Sequence, residues 1–139
     1  MSKITFIAKF ENLDEIREFV GEKARQVGFS DKEIYSIQLA ADEASTNIIE
    51  YAYAGVENGE IEIDCNTSDG GLEIVLRDKG KPFDPSNVPE PNVKGDLSER
   101  KIGGLGIYLM RKLMDEVSYE TLAEGGNVLT MVKRVGDSE

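Results

Sequence analysis

The chain has 139 residues, with 16 Lys and Arg against 27 Asp and Glu, a net charge of −11. A surface this acidic repels phosphate backbones and anionic lipid, so direct nucleic-acid binding and membrane attachment are not expected. There is no histidine, which excludes a Ser-His-Asp hydrolase, a Cys-His protease, a histidine-ligated zinc enzyme and a kinase that phosphorylates its own histidine.

The single cysteine, Cys65, leaves no internal disulfide and no cysteine-rich metal site. No apolar run approaches the roughly 20 residues that span a bilayer. The opening MSKITFIAKF alternates and lacks the apolar core of a signal peptide. The expected location is cytoplasmic. The length suits one domain, residues 1–139, with a core large enough to stand without staples.

Lys3 to Lys9 alternates, with Ile4, Phe6 and Ala8 on one face, and predicts a strand. Asn12 and Glu15 form a candidate capping box for a helix carrying Leu13, Ile16, Val20, Ala24 and Val27, which Gly28 ends. Ser30 and Glu33 form a second box, opening a long helix over about Asp31–Tyr53. Ile61, Ile63 and Cys65 alternate as a strand, and Leu72, Ile74 and Leu76 as its hairpin partner, with a turn over Thr67–Gly71.

A long segment from Arg77 to about Gly103 holds all four prolines, and so long a loop is usually functional. Helical spacing resumes from Leu105 through Leu109, Leu113 and Val117, and Val117–Leu122 with Asn127–Lys133 reads as a closing hairpin around Glu124-Gly125-Gly126. The order predicts an α+β two-layer sandwich: a mostly antiparallel, mixed sheet with about three helices on one face.

Three clusters exceed what folding requires. Glu43 and Asn47 stand one helical turn apart on one face. An Asn carbonyl is a hard ligand suited to Mg²⁺, and a carboxylate beside it can orient or deprotonate a hydroxyl. Asp78 and Gly80 follow a hydrophobic strand; a fixed carboxylate can accept from a base amine, and glycine lets a flat ring lie on the backbone. Gly103-Gly104-Leu105-Gly106-Ile107 opens a helix, where free amides and the helix dipole favour phosphate. Each cluster alone also admits a plainer reading: a polar pair on a long helix, a solvated turn, a flexible helix entry.

Together, Glu43-x-x-x-Asn47, Asp78-x-Gly80-x-Pro82-Phe83 and Gly103-Gly104-Leu105-Gly106-Ile107 resemble the N, G1 and G2 boxes of the Bergerat-fold, or GHKL, ATPases. This group includes sensor histidine kinases, gyrase B, heat-shock protein 90 and MutL. Within it the chain most resembles the small bacterial anti-sigma-factor serine kinases, above all in GGLGIYLMRKLMDEVSYE and GGNVLTMVKR, and the likeness runs from about Ile4 to Arg134.

The resemblance implies a histidine-kinase-like ATPase fold that binds ATP and Mg²⁺. It implies Glu43 as general base, Asn47 as the Mg²⁺ ligand, and Asp78 on the adenine amine. Gly80 and Phe83 would lie by the base, with phosphate contacts from Gly103, Gly104, Leu105, Gly106 and Ile107. A lid would span about 85–102, where Lys94, Arg100 and Lys101 could neutralise phosphate. The implied partners are a STAS-type anti-sigma-factor antagonist, an RNA polymerase sigma factor and a second copy of the chain in a homodimer. The alternative is a nucleotide-gated binding module of the same fold without kinase activity.

Departures from the family pattern are Glu50, where many relatives carry His; Gly103 or Gly104, where Arg is frequent; and Asn127-Val128, where the fold commonly has Thr.

Overall fold

The computed structural model describes residues 2–68, 70–83 and 102–136, without the side chains of 2, 68 and 102–107. Five strands, β1 (Ser2–Ile7), β2 (Glu60–Ser68), β3 (Gly71–Asp78), β4 (Glu116–Thr121) and β5 (Asn127–Arg134), form one sheet in the order β1-β2-β3-β5-β4. All four pairings are antiparallel, so among the described strands the sheet is antiparallel throughout rather than mixed.

The helices α1 (Leu13–Val27), α2 (Asp31–Asn47) and α3 (Ile102–Leu113) cover one face. Phe6, Ile61, Ile63, Cys65, Leu72, Ile74, Leu76, Leu129 and Met131 from the sheet meet Ile16, Val20, Ile34, Ile37, Ala41, Ala44 and Met110 from the helices in one core. Burying each large aliphatic side chain contributes about 2 kcal/mol of transfer free energy. The opposite face carries the alternate residues, with Lys3 and Arg77 each 3.5 Å from Glu62.

Several element boundaries differ from the sequence expectation. β1 ends at Ile7, and a 3₁₀ turn over Phe10–Asn12 precedes α1. The Asn12–Glu15 box does not form; Asn12 Nδ2 instead donates to the Ile7 carbonyl at 2.8 Å, closing the strand end. The Ser30 box does form: the Glu33 amide donates to Ser30 Oγ (3.1 Å) and the Ser30 amide to Glu33 Oε1 (2.8 Å). Ser30→Ala is expected to cost about 1 kcal/mol of stability, seen in thermal unfolding as a Tm lower by about 4 °C.

The helix expected to run to Tyr53 stays α-helical only to Asn47. It then widens into a π-helical turn over Ile48–Ala52, where the Tyr53 amide donates to the Ile48 carbonyl (3.0 Å). The hairpin turn is shorter than expected: Ser68 pairs with Gly71, with only residues 69–70 between.

Candidate functional site

α2 ends beside the Asp78 end of the sheet, because the Lys81 amide donates to the Ala52 carbonyl at 2.9 Å. α3 packs alongside α2 and finishes at the other end, where Lys133 Nζ donates to the Leu113 carbonyl (2.8 Å) and Lys133 pairs with Leu72. The glycine-rich start of α3 is therefore directed toward the same end as Asn47 and Asp78. Three sequence clusters far apart in the chain converge there.

Asn47 is only 1% exposed, and among the described residues neither its Oδ1 nor its Nδ2 has a partner. Burying an amide with nothing to bond costs roughly 1–3 kcal/mol, so the position fits a ligand better than a purely structural role. Its carbonyl oxygen suits Mg²⁺, which keeps several waters and takes its other ligands from phosphates. Glu43, one turn earlier, is half-buried. Burial first, then the carboxylates of Asp42 and Glu50, hold its carboxyl above the ordinary range. A carboxylate so placed is a better proton acceptor than a solvated one.

At the end of β3, Asp78 is 5% exposed, and its Oδ1 accepts from the Gly80 amide (2.8 Å) and from Asn127 Nδ2 (2.9 Å). Burial raises its pKa, and those two hydrogen bonds oppose the rise. Asn127 Nδ2 also reaches the Lys81 carbonyl (3.0 Å), and its Oδ1 accepts from the Phe83 amide (3.4 Å). Gly80 lies so close to Ala52 that a Cβ would overlap the Ala52 carbonyl, so no other residue fits there without moving α2's end. Phe83 stacks on Tyr51, ring centroids 5.7 Å apart and planes at 30°.

The Asp78 turn thus rests on Asn127 and the π-helical turn. Sequence reading named Asn127 as a departure but not as a site residue, and its position after Gly125-Gly126 was the available signal. A cavity of about 700 Å³ opens at this turn, walled by Asp78 itself with Tyr53, Glu60, Arg77, Lys79 and Glu124. Its lining includes neither Glu43 nor Asn47.

α3 begins at Ile102, so Gly103 and Gly104 lie in its first turn, where amides have no acceptor in the helix's own ladder. Leu105, Gly106 and Ile107 follow within the helix. Lys94, Arg100, Lys101 and the expected lid up to residue 101 lie outside the described residues.

The buried Asp78 carboxylate, the Asn47 amide and the glycine-led start of α3 thus stand at one end of an antiparallel sheet. The chain belongs to the histidine kinase-like ATPase domain family, whose model matches residues 6–133. It is 35% identical over 132 residues to the serine-protein kinase RsbW of Bacillus pumilus, covering 91% of this chain and 80% of the relative. To RsbW of Bacillus subtilis (strain 168) it is 32% identical over 133 residues, with the same coverage.

Among solved structures, it superposes on the crystal structure of the RsbU and RsbW domains of a Mycobacterium tuberculosis protein with a TM-score of 0.65 at 18% identity, covering 97% of this chain and 32% of that longer one. The nucleotide-free catalytic domain of histidine kinase ThkA gives 0.56 at 18% identity, with 97% of each chain covered. At these identities the structural likeness establishes the fold, which is the histidine-kinase-like ATPase fold expected from the sequence.

Proposed function

We propose that the protein is an ATP-dependent protein serine kinase and anti-sigma factor, which phosphorylates a STAS-type anti-sigma-factor antagonist and holds an RNA polymerase sigma factor inactive. The observation that carries the reading is the buried Asn47 amide, without a partner among the described residues, one turn from the half-buried Glu43 at the end of the sheet where Asp78 stands. Kinship with serine-protein kinases over most of the chain supports the activity.

Asp78 accepts from the adenine amine, with Gly80 beneath the ring and Phe83 at its edge. Gly103, Gly104, Leu105, Gly106 and Ile107 give the phosphates their contacts through the backbone. Asn47 is the Mg²⁺ ligand, and the ion, when bound, neutralises charge on the triphosphate. Glu43 takes the proton of the incoming serine hydroxyl as the oxygen bonds to the γ-phosphorus and ADP leaves. The segment of about 85–102 serves as the ATP lid in this reading, with Lys94, Arg100 and Lys101 as its phosphate-neutralising cations. The chain works as one ATP-binding domain, residues 1–139, in the cytoplasm, and pairs as a homodimer.

Incubation with labelled ATP, Mg²⁺ and a STAS-type antagonist tests the reading. Phosphoserine on the antagonist is the expected result. A nucleotide-bound complex with no phosphate on either protein would sink the kinase reading and leave a gated binding module.

A base must be ionised to act. Because the Glu43 carboxyl is held high, transfer is expected to fall off on acidification at a pH above the ordinary carboxylate value of about 4.3. A pH–rate profile checks this, and Glu43→Asp should move the acid limb.

A further inference from the structure

β2 and β3 pair in a register that joins Ile61 to Asp78, so the next rung would join Glu60 to Lys79. That rung is missing. In its place stands the hydroxyl of Tyr53, which accepts from the Lys79 amide (2.8 Å) and donates to the Glu60 carbonyl (2.7 Å). The tyrosine is 6% exposed, and Gly59 makes room for it: a Cβ there would come within 2.6 Å of the ring.

The π-helical turn delivers this side chain, through the Tyr53 amide bonded to the Ile48 carbonyl. The hydroxyl wedges the two strands apart. The chain leaves β3 immediately after Asp78, so the Lys81 amide turns to the Ala52 carbonyl and the Gly80 amide to Asp78 Oδ1. Continued pairing would draw Lys79 toward β2 and take Gly80 with it.

We infer that Tyr53 is a positioning residue for the nucleotide base: its hydroxyl substitutes for a ladder rung, ends β3 at Asp78, and holds the Asp78–Gly80 turn in the geometry that reads the base. The inference rests on the adenine reading of Asp78. It assigns Tyr53 no contact with nucleotide and no part in the phosphate half of the site.

Tyr53→Phe keeps the ring in its slot and removes only the wedge. Two probes separate the halves of the site in the full chain: adenosine for the base side and inorganic tripolyphosphate with Mg²⁺ for the phosphate side. The expected result is about tenfold weaker adenosine binding, about 1.4 kcal/mol, with tripolyphosphate binding within twofold of wild type. In the kinase assay KM for ATP should rise by a similar factor while kcat holds.

Equal losses with both probes would make Tyr53 merely structural and overturn the inference. No loss with either would overturn it too, leaving the adenine reading intact when wild type binds adenosine. If wild type itself binds tripolyphosphate but no adenosine, the adenine reading falls and this inference with it. Tyr53→Leu, followed by the same two titrations and by thermal unfolding, guards against a packing artefact in the Phe variant: it should reproduce the one-sided loss.

Discussion

Replacing Glu43 by Gln should leave ATP binding within a few-fold of wild type and cut phosphotransfer by about 10²–10⁴. The substitution keeps volume and polarity in a half-buried position, so folding is preserved. What disappears is a proton acceptor whose basicity is raised by burial and by the carboxylates of Asp42 and Glu50. Quench-flow measurement of phosphoserine, beside calorimetric titration of ATP, separates the two effects. Full transfer in Glu43→Gln would remove the residue from the base role, while loss of binding would move its part to the nucleotide's ground state.

Asp78→Asn should weaken or reverse the preference for adenine over guanine. In the wild-type site the Gly80 amide and Asn127 Nδ2 both donate to Oδ1. An asparagine satisfies these donors only by turning its own Oδ1 to them, which leaves its NH₂ facing the base. Adenine presents an amine there, and two donors oppose each other; guanine presents a carbonyl acceptor in the corresponding place. ATP binding is expected to weaken by about 10²-fold, near 2.7 kcal/mol, and the preference for ATP over GTP to shrink or reverse.

Stability should not suffer. The folded-state pKa of Asp78 is raised by burial, so its ionisation costs stability as pH rises through the unfolded and then the folded value, and the cost is complete above the folded one. A neutral amide escapes that cost. A cooperative unfolding midpoint at neutral pH equal to or above wild type, with ATP affinity lost, is the expected pair of results. Unchanged ATP affinity would take Asp78 out of the base site.

Much of this was legible in the chain. Alternation in Ile61–Cys65 and Leu72–Leu76, and the Ser30–Glu33 box, report local chemistry, and the structure contains each of them. Asn12 misled because its side chain has a competing acceptor: the Ile7 carbonyl draws it away from the helix it precedes. The π-helical turn was invisible because IIEYA has ordinary helical residues; its wider turn is held by tertiary bonds, Lys81 to Ala52 and Lys79 to Tyr53.

Asp78 could be singled out by its place after a strand, but not its pairing with Asn127, 49 residues away. That contact depends on sheet order, and nothing within either segment encodes it. Asn47 could be singled out by its spacing from Glu43, but not its burial without a partner among the described residues, which depends on how α2 packs.

The juxtaposition of β3 and β5 carries a consequence for how the pocket comes into being. The two hairpins, β2–β3 and β4–β5, are local, but β3 meets β5 only across the whole intervening excursion. Closing so long a loop costs conformational entropy that local pairing does not. The Asp78–Asn127 lock is therefore available only to the finished molecule, never to either half of it. A nucleotide that needs this lock binds the native state alone, and by mass action each tenfold excess of nucleotide over its Kd should add about 1.4 kcal/mol to the stability of the whole molecule.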